Sequence, residues 1–297
     1  MTRANVERHA LIALLRGDEP FKPSDLKRMY MERNSFQAIL VDKLVDDARV
    51  EEALAKSASE VKAWEADGTR LLTFLDFEYP AQLQDVHDFP LFIFTRGRLP
   101  QETQRDRGVS IVGSRDASPW AIESARVIAT SLANRGYSIV SGLAAGIDTA
   151  AHEAALALNA RTVGVLGTGI RQAYPPQNSS LQARVSSTGL LISQFWPDDG
   201  PRKWSFPMRN AVMSAYSNVT VVVEAGEKSG TRHQVREAIK HGRPVVLSGA
   251  VAGSTSWGKK YAQDTDNQVH VAHTESDAIR LVEELSEPVL PPLAMGA

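Results

Sequence analysis

Apolar positions change their period near residue 100. Before it, residues 6–15, 24–33, 36–48 and 50–66 carry apolar side chains at helical spacing with charge between them, as at Phe36, Ile39, Leu40 and Leu44. Pro20, Pro23 and Ser24 break the pattern, and Ser24 is expected to cap the next helix. The spacing predicts a small helical module over residues 1–68. A lead-in region over 69–107 follows, with strands at Arg70–Leu75 and Leu91–Phe94, a turn at Tyr79-Pro80, and a charged linker at Pro100–Gly108.

From Val109 onward, runs rich in Val, Ile and Leu recur at 109–112, 137–141, 162–166, 190–193, 219–223, 244–248 and 268–272. Their lack of alternation predicts strands buried on both faces. Amphipathic helices are expected between them, near 119–135, 146–159, 178–187, 207–216, 230–241 and 275–285. Alternation of this kind predicts βαβ units and an α/β, doubly wound, mostly parallel sheet over 108–286. Residues 287–297 are Pro-rich and expected to form a flexible tail. Ligands of such sheets bind beyond the carboxyl ends of the strands, so the strand-to-helix turns are where chemistry is expected.

Four of these turns are built from small residues. The first strand runs into Gly113-Ser114-Arg115, with Ser118-Pro119 as a cap and first-turn pair. The second ends in Ser141-Gly142-Leu143-Ala144-Ala145-Gly146-Ile147-Asp148, the third in Gly167-Thr168-Gly169. The fifth ends in Glu224-Ala225-Gly226, and Ser229-Gly230-Thr231 opens the next helix. Any one of them is accounted for as a tight βα turn. Four together, beside Arg115, predict a phosphate pocket of backbone amides and helix N-termini. No turn carries the Gly-Lys-Ser/Thr of a P-loop, which disfavours triphosphate hydrolysis. Arg115 stands where close dinucleotide approach needs glycine, which argues against a nicotinamide cofactor.

Pro201-Arg202-Lys203-Trp204-Ser205-Phe206-Pro207-Met208-Arg209-Asn210 places three cations and two aromatic rings within ten residues. Cations that neutralise phosphates, interleaved with rings on which bases stack, are the ingredients of single-strand binding. Asn210 adds a polar group for a phosphate or base edge. The other reading is a loop whose Trp204 and Phe206 pack on the core.

Composition narrows the classes. The chain has 297 residues, no cysteine, and 33 Lys+Arg against 35 Asp+Glu for a formal net charge of −2. The absence of cysteine excludes a disulfide scaffold, a thiolate zinc site and a thiol nucleophile, and fits a cytoplasmic location. The charge excludes a uniformly basic nucleic-acid binder but not a local basic groove. Apolar runs such as Val219–Val223 are too short to span a bilayer, and with the mixed charges of Met1–His9 no signal peptide is expected.

Taken together, these residues resemble the DprA/Smf family of DNA-processing proteins. The resemblance rests on Ile111–Arg115, Ser141–Ala144 with Gly146–Asp148, Ala151-His152, Val165–Gly169, Tyr174-Pro175 with Asn178, Phe206-Pro207 with Arg209-Asn210, Val223–Ala225 with Ser229-Gly230, and Gly242-Arg243. It implies a Rossmann-like sheet, a homodimer, single-stranded DNA in a basic pocket and its delivery to RecA, with no established catalytic reaction, cofactor or metal. The expected binding residues are Gly113, Ser114, Arg115, Ser141, Gly142, Gly146, Gly167, Gly169, Lys203, Phe206, Arg209, Asn210, Ser229, Gly230 and Thr231. Their glycines and serines would offer amides and hydroxyls, Arg115, Lys203 and Arg209 charge, and Phe206 a stacking face. The chain departs from the family pattern at Ala145, at Ala211 and over Thr231–Gln234, and a C-terminal winged helix is not expected.

Two other classes compete. DprA-like proteins lacking the winged helix also resemble antitoxins or regulators of phage-defence modules, in which the pocket would sense DNA or a nucleotide for a toxin partner. Ser229-Gly230-Thr231 also resembles the phosphate loop of cytokinin-activating phosphoribohydrolases of the LOG type. Gln234 stands where those enzymes carry an acid, leaving Glu224 as the nearby candidate, so nucleotide binding is compatible and hydrolysis is not expected. A hydrolase built from Ser141, Asp148 and His152 is disfavoured because no nucleophile elbow is present. Asp148 is expected instead to orient its loop and His152 to pack or hydrogen-bond locally. His233 with His241, and His270 with His273, have no carboxylate beside them in sequence, so no metal site is expected.

Overall fold

The computed structural model describes residues 2–100, 105–264 and 268–286. The expected tail at 287–297 lies outside them, as does part of the expected linker. Two compact units are present, Met1–Tyr79 with Pro90–Arg96, and Pro80–Phe89 with Gly97–Ala297.

The smaller unit contains helices α1 (Arg3–Arg16), α2 (Pro23–Arg33), α3 (Phe36–Leu44) and α4 (Asp47–Glu65), with strands β1 (Arg70–Thr73) and β2 (Phe92–Gly97). The strands pair antiparallel, Leu72 opposite Ile93. Leu11, Ile12, Leu14, Phe36 and Phe94 are fully buried. Glu7 is a buried acid in α1, and its carboxylate accepts from Phe36 N at 2.6 Å and Ser35 Oγ at 2.6 Å. It thereby satisfies the unpaired amides that open α3. Ser24 does not cap α2: Lys22 holds that position and Pro23 is the first helical residue. Proline's fixed φ starts the helix one residue earlier than the hydroxyl suggested.

The larger unit begins with a 3-10 turn (Ala81–Asp85). Seven strands follow: β3 (Gly108–Val112), β4 (Ser138–Ser141), β5 (Thr162–Val165), β6 (Leu190–Ser193), β7 (Val219–Val222), β8 (Val245–Ser248) and β9 (Val269–Ala272). They lie in the order β6-β5-β4-β3-β7-β8-β9, parallel throughout. The helices are α5 (Pro119–Asn134), α6 (Ile147–Ala157), α7 (Ser179–Thr188), α8 (Ser205–Tyr216), α9 (Thr231–Lys240), α10 (Gly249–Ser254), α11 (Ser256–Gln263) and α12 (Glu275–Ser286). Every residue of β4–β7 is buried, in keeping with their unbroken apolar runs. Alanines 121, 125 and 129 of α5 and 150, 151 and 154 of α6 belong to one core with Val109, Ile111 and Ile139.

Helices α10 and α11 were not anticipated. Each is short and starts at a hydroxyl cap, Ser248 Oγ accepting from Val251 N and Thr255 Oγ1 from Gly258 N. Their glycines and hydroxyl residues resemble a loop in sequence. The chain leaves β3 in one direction through β4, β5 and β6, and returns beside β3 as β7 before continuing outward. That reversal makes the carboxyl ends of β3 and β7 the switch point at which a ligand crevice opens.

Asp85 and Asp88 anchor the segment 80–89. Asp85 pairs with Arg105 and Arg243, and Asp88 with Lys240 and His241. Ligand atoms of Asp88, Glu237 and His241 lie within 4.8 Å of one another. Glu237 precedes His241 by four positions, and folding adds Asp88 from 153 positions away. Lys240 Nζ already stands 2.5 Å from Asp88, and both His241 ring nitrogens have partners, Asp88 on Nε2 and Ser214 on Nδ1. The group is therefore satisfied as an ion-pair network.

Candidate nucleic-acid interface

Backbone contacts knit together three turns at the switch point. Ser114 N donates to Glu224 O at 2.7 Å, joining the turns after β3 and β7, and Ile147 N donates to Ser114 O at 3.2 Å, joining the start of α6. A Cβ on Gly113 would lie 2.7 Å from Glu224 O, and one on Gly146, whose φ is +76°, only 2.2 Å from Ser114 O. Glycine is required at both because backbone packs against backbone.

Asp148 lies 5% exposed beneath these turns, and its Oδ2 accepts from Gly142 N at 3.0 Å and Ala144 N at 3.3 Å. Burial raises its pKa, opposed by Arg209 and those amides. Asn178 Nδ2 donates to Leu143 O, Ala144 O and Thr149 Oγ1, fixing the same loop from the other side. His152 is fully buried, with Nδ1 2.7 Å from Thr162 Oγ1, and burial lowers its pKa to about 3. Both residues have the structural places expected of them, and Ser141 Oγ donates to Ile111 O rather than facing a base.

Arg209 is 6% exposed. Its Nη1 donates to Gly142 O at 2.5 Å and Val165 O at 3.0 Å, and its Nε to Asn210 Oδ1 at 3.0 Å. Burial lowers its pKa, Asp148 opposes that shift and Arg115 adds to it. A Cβ on Gly142 would overlap the guanidinium, 1.8 Å from Nη1, so this glycine exists to let the arginine through. Arg209 is consequently not the exposed phosphate cation that its basic loop suggested, but a buried clamp between two strand ends.

A cavity of about 510 Å³ opens above the clamp. Gly113, Ser114 and Arg115 form one wall, Phe206, Arg209 and Asn210 a second, and Ser229, Gly230 and Thr231 a third. A smaller cavity of about 100 Å³ shares Arg115, Phe206 and Arg209 and adds Gly142, Tyr174 and Pro175. Arg115 is exposed, makes no ion pair with a described residue, and lies with Cζ 5.5 Å from the Phe206 ring centroid. Tyr174 flanks that ring at 5.3 Å. The result is a row of two rings and a guanidinium beside glycine turns.

Among the expected residues, Gly167, Gly169 and Lys203 lie outside both cavities. Gly167 packs under the Phe206 ring and Gly169 against the carbonyls of Trp196 and Pro197, so close packing rather than phosphate contact explains both. Lys203 is exposed and lines neither cavity. Gly146 shapes the rim from behind. The hydroxyls of Ser229 and Thr231 bond inward, to Thr231 Oγ1 and Gly113 O. Glu224 lies outside the larger cavity, its carboxylate accepting from Ser118 N at the start of α5. Lys228, which lines the cavity between Gly226 and Ser229, was not among the expected binding residues, and the nearness of Tyr174 to Phe206 emerges only on folding. Among the described residues the cavity walls carry three cations, Arg115, Arg209 and Lys228, against the carboxylates of Asp116 and Asp148.

The model of the family described as DNA recombination-mediator protein A matches residues 70–280. DNA processing protein DprA of Bacillus subtilis is 31% identical over 205 residues, covering 69% of this chain and 68% of the relative. DprA of Streptococcus pneumoniae is 36% identical over 182 residues, covering 61% and 62%. Some relatives are matched over less, the Smf protein of Synechocystis over 45% of its length. The X-ray structure of the Streptococcus pneumoniae protein matches with a TM-score of 0.70 at 24% identity, over 94% of this chain and 98% of that one. A structure described for its unique single-stranded DNA binding mode, of DNA processing protein A from Helicobacter pylori, matches with a TM-score of 0.61 at 25% identity, over 72% and 96%. No described helix is long and apolar enough to cross a membrane. In motif order, in fold and in the span matched, this chain belongs to the DNA recombination-mediator protein A family.

Proposed function

We propose that the cavity at the β3/β7 switch binds single-stranded DNA and that the chain serves DNA processing in recombination as a binding protein rather than an enzyme. One observation carries this reading: Arg115, an exposed cation with no acidic partner among the described residues, lies over the Phe206 ring at the mouth of a cavity walled by glycine turns. A cation for phosphate beside a ring for base stacking is how single strands are held without sequence preference. The relative from Helicobacter pylori, described by its single-strand binding mode, supports the same assignment. Against catalysis stand the amide of Gln234 where an acid is needed and the engagement of Glu224 with α5. Family membership supports two further steps, action as a homodimer and delivery of the strand to a RecA-type recombinase. Light scattering and a recombinase-loading assay test these.

Fluorescence anisotropy with a single-stranded oligo-dT tests the central reading. Arg115→Ala is expected to weaken binding and to reduce the slope of log K against log salt by about 0.7, the share of one single-strand phosphate contact. Phe206→Leu, which keeps a side chain over Gly167, is expected to weaken binding by loss of stacking. Wild-type affinity and slope in both variants would defeat the proposal.

A further inference from the structure

Gln234 stands one turn into α9 and is 1% exposed, yet it lines the larger cavity. Its Nε2 donates to Thr220 Oγ1 at 3.4 Å, and its Oε1 has no hydrogen-bond partner. A buried carbonyl oxygen left unpaired is destabilising, and one at the wall of a cavity is satisfied when a ligand brings a donor to it. Resting on the single-strand reading above, we infer that Gln234 accepts a hydrogen bond from an N–H of a nucleobase, so that the cavity holds a base and not a phosphate at this wall.

Elimination by chemistry supports the choice. At neutral pH a phosphodiester has acceptor oxygens and no proton to donate, so a carbonyl oxygen repels it. An internal deoxyribose carries no hydroxyl. The donors left in a DNA strand are base N–H groups, and each base has one on its Watson–Crick edge, unpaired in a single strand. A volume of about 510 Å³ falls in the range of small-ligand sites and admits a base with its sugar. Charge is divided to match. Arg115 and Lys228 offer cations to the backbone, while Gln234 offers an acceptor at the wall formed by α9. Because the contact is a single hydrogen bond, it sets which group enters the cavity and supplies only a small part of total affinity.

The test compares oligo-dT with the same strand built from N3-methylthymine, which keeps ring and backbone and lacks the N–H. Wild-type protein is expected to bind the methylated strand about five-fold more weakly, the value of one neutral hydrogen bond. Gln234→Met, similar in length and apolar, should bind oligo-dT about five-fold more weakly and no longer distinguish the two strands. Equal binding of both strands by the wild type would overturn the inference while leaving single-strand binding intact, and this comparison needs no variant to fold. Independent, multiplying losses from methylation and Gln234→Met would also overturn it. So would tighter binding of oligo-rU than of oligo-dU that Gln234→Met abolishes, which would assign the acceptor to a ribose hydroxyl. Failure of every strand to bind would instead remove the single-strand reading itself.

Discussion

Replacing Arg209 by alanine separates a buried clamp from a surface DNA contact. The change removes two donations from Nη1, to Gly142 O and Val165 O, and the one from Nε to Asn210. It also leaves the Asp148 carboxylate, 5% exposed, without the cation that opposes its burial. Each buried acceptor left without its donor costs about 1–3 kcal/mol, so together these losses are a large part of the roughly 5–15 kcal/mol that stabilises a domain. Asp148 then gains a way to relax by taking up a proton. Its folded pKa already lies above the unfolded value and rises further, so the folded state binds more protons than the unfolded state as pH falls through that value. The deficit of the variant relative to wild type should therefore shrink as pH falls. Urea unfolding followed by tryptophan fluorescence, at neutral pH and at successively lower pH, measures both effects. Asp148→Ala should cost less in the Arg209→Ala background than in the wild type, since the two losses share one interaction. A variant within about 0.5 kcal/mol of wild type at neutral pH but unable to bind DNA would refute the clamp and restore Arg209 to the surface role.

Three other outcomes follow from the same geometry. Lys203→Ala should change oligo-dT affinity less than two-fold, because Lys203 lines neither cavity; an effect as large as that of Arg115→Ala would show that the strand runs past the mouth. Gly146→Ala should destabilise the larger unit by more than about 1 kcal/mol, since φ is +76° and the new methyl would lie 2.2 Å from Ser114 O; an unshifted urea midpoint would contradict it. His152, with a folded pKa near 3, is neutral in the fold but charges in the unfolded chain below about 6.5, so its contribution is complete above that pH and is lost as pH falls toward 3. By pH 5 the loss amounts to about 2 kcal/mol, and His152→Asn, which cannot titrate, should flatten that part of the urea-stability profile.

The sheet was legible in the sequence because strands buried on both faces must be apolar at every position, and runs such as Val219–Val222 have few other uses. The turns were legible for a related reason: backbone packed on backbone demands glycine, as at Gly113 and Gly146. The same signal misled at Gly167 and Gly169, where what approaches closely is a ring and two carbonyls rather than a phosphate. Charge was visible in sequence, but burial was not. Arg209 and Lys203 stand six positions apart in one basic loop, yet one is a buried clamp and the other is exposed and lines neither cavity. Gln234 was recognised only as a missing acid. Its unpaired oxygen emerges once α9 is set against β7.

Photocrosslinking addresses the central claim most directly. A single-stranded oligonucleotide carrying 5-iododeoxyuridine, irradiated in complex with the full chain, transfers a covalent mark to aromatic side chains that stack on its bases. The structure predicts that mass spectrometry will find the mark on Phe206 or Tyr174, and that Arg115→Ala will reduce the yield. Marks confined to exposed aromatics away from the cavity, such as Trp120 on α5, with none on Phe206 or Tyr174, would contradict the placement of the strand at the β3/β7 switch.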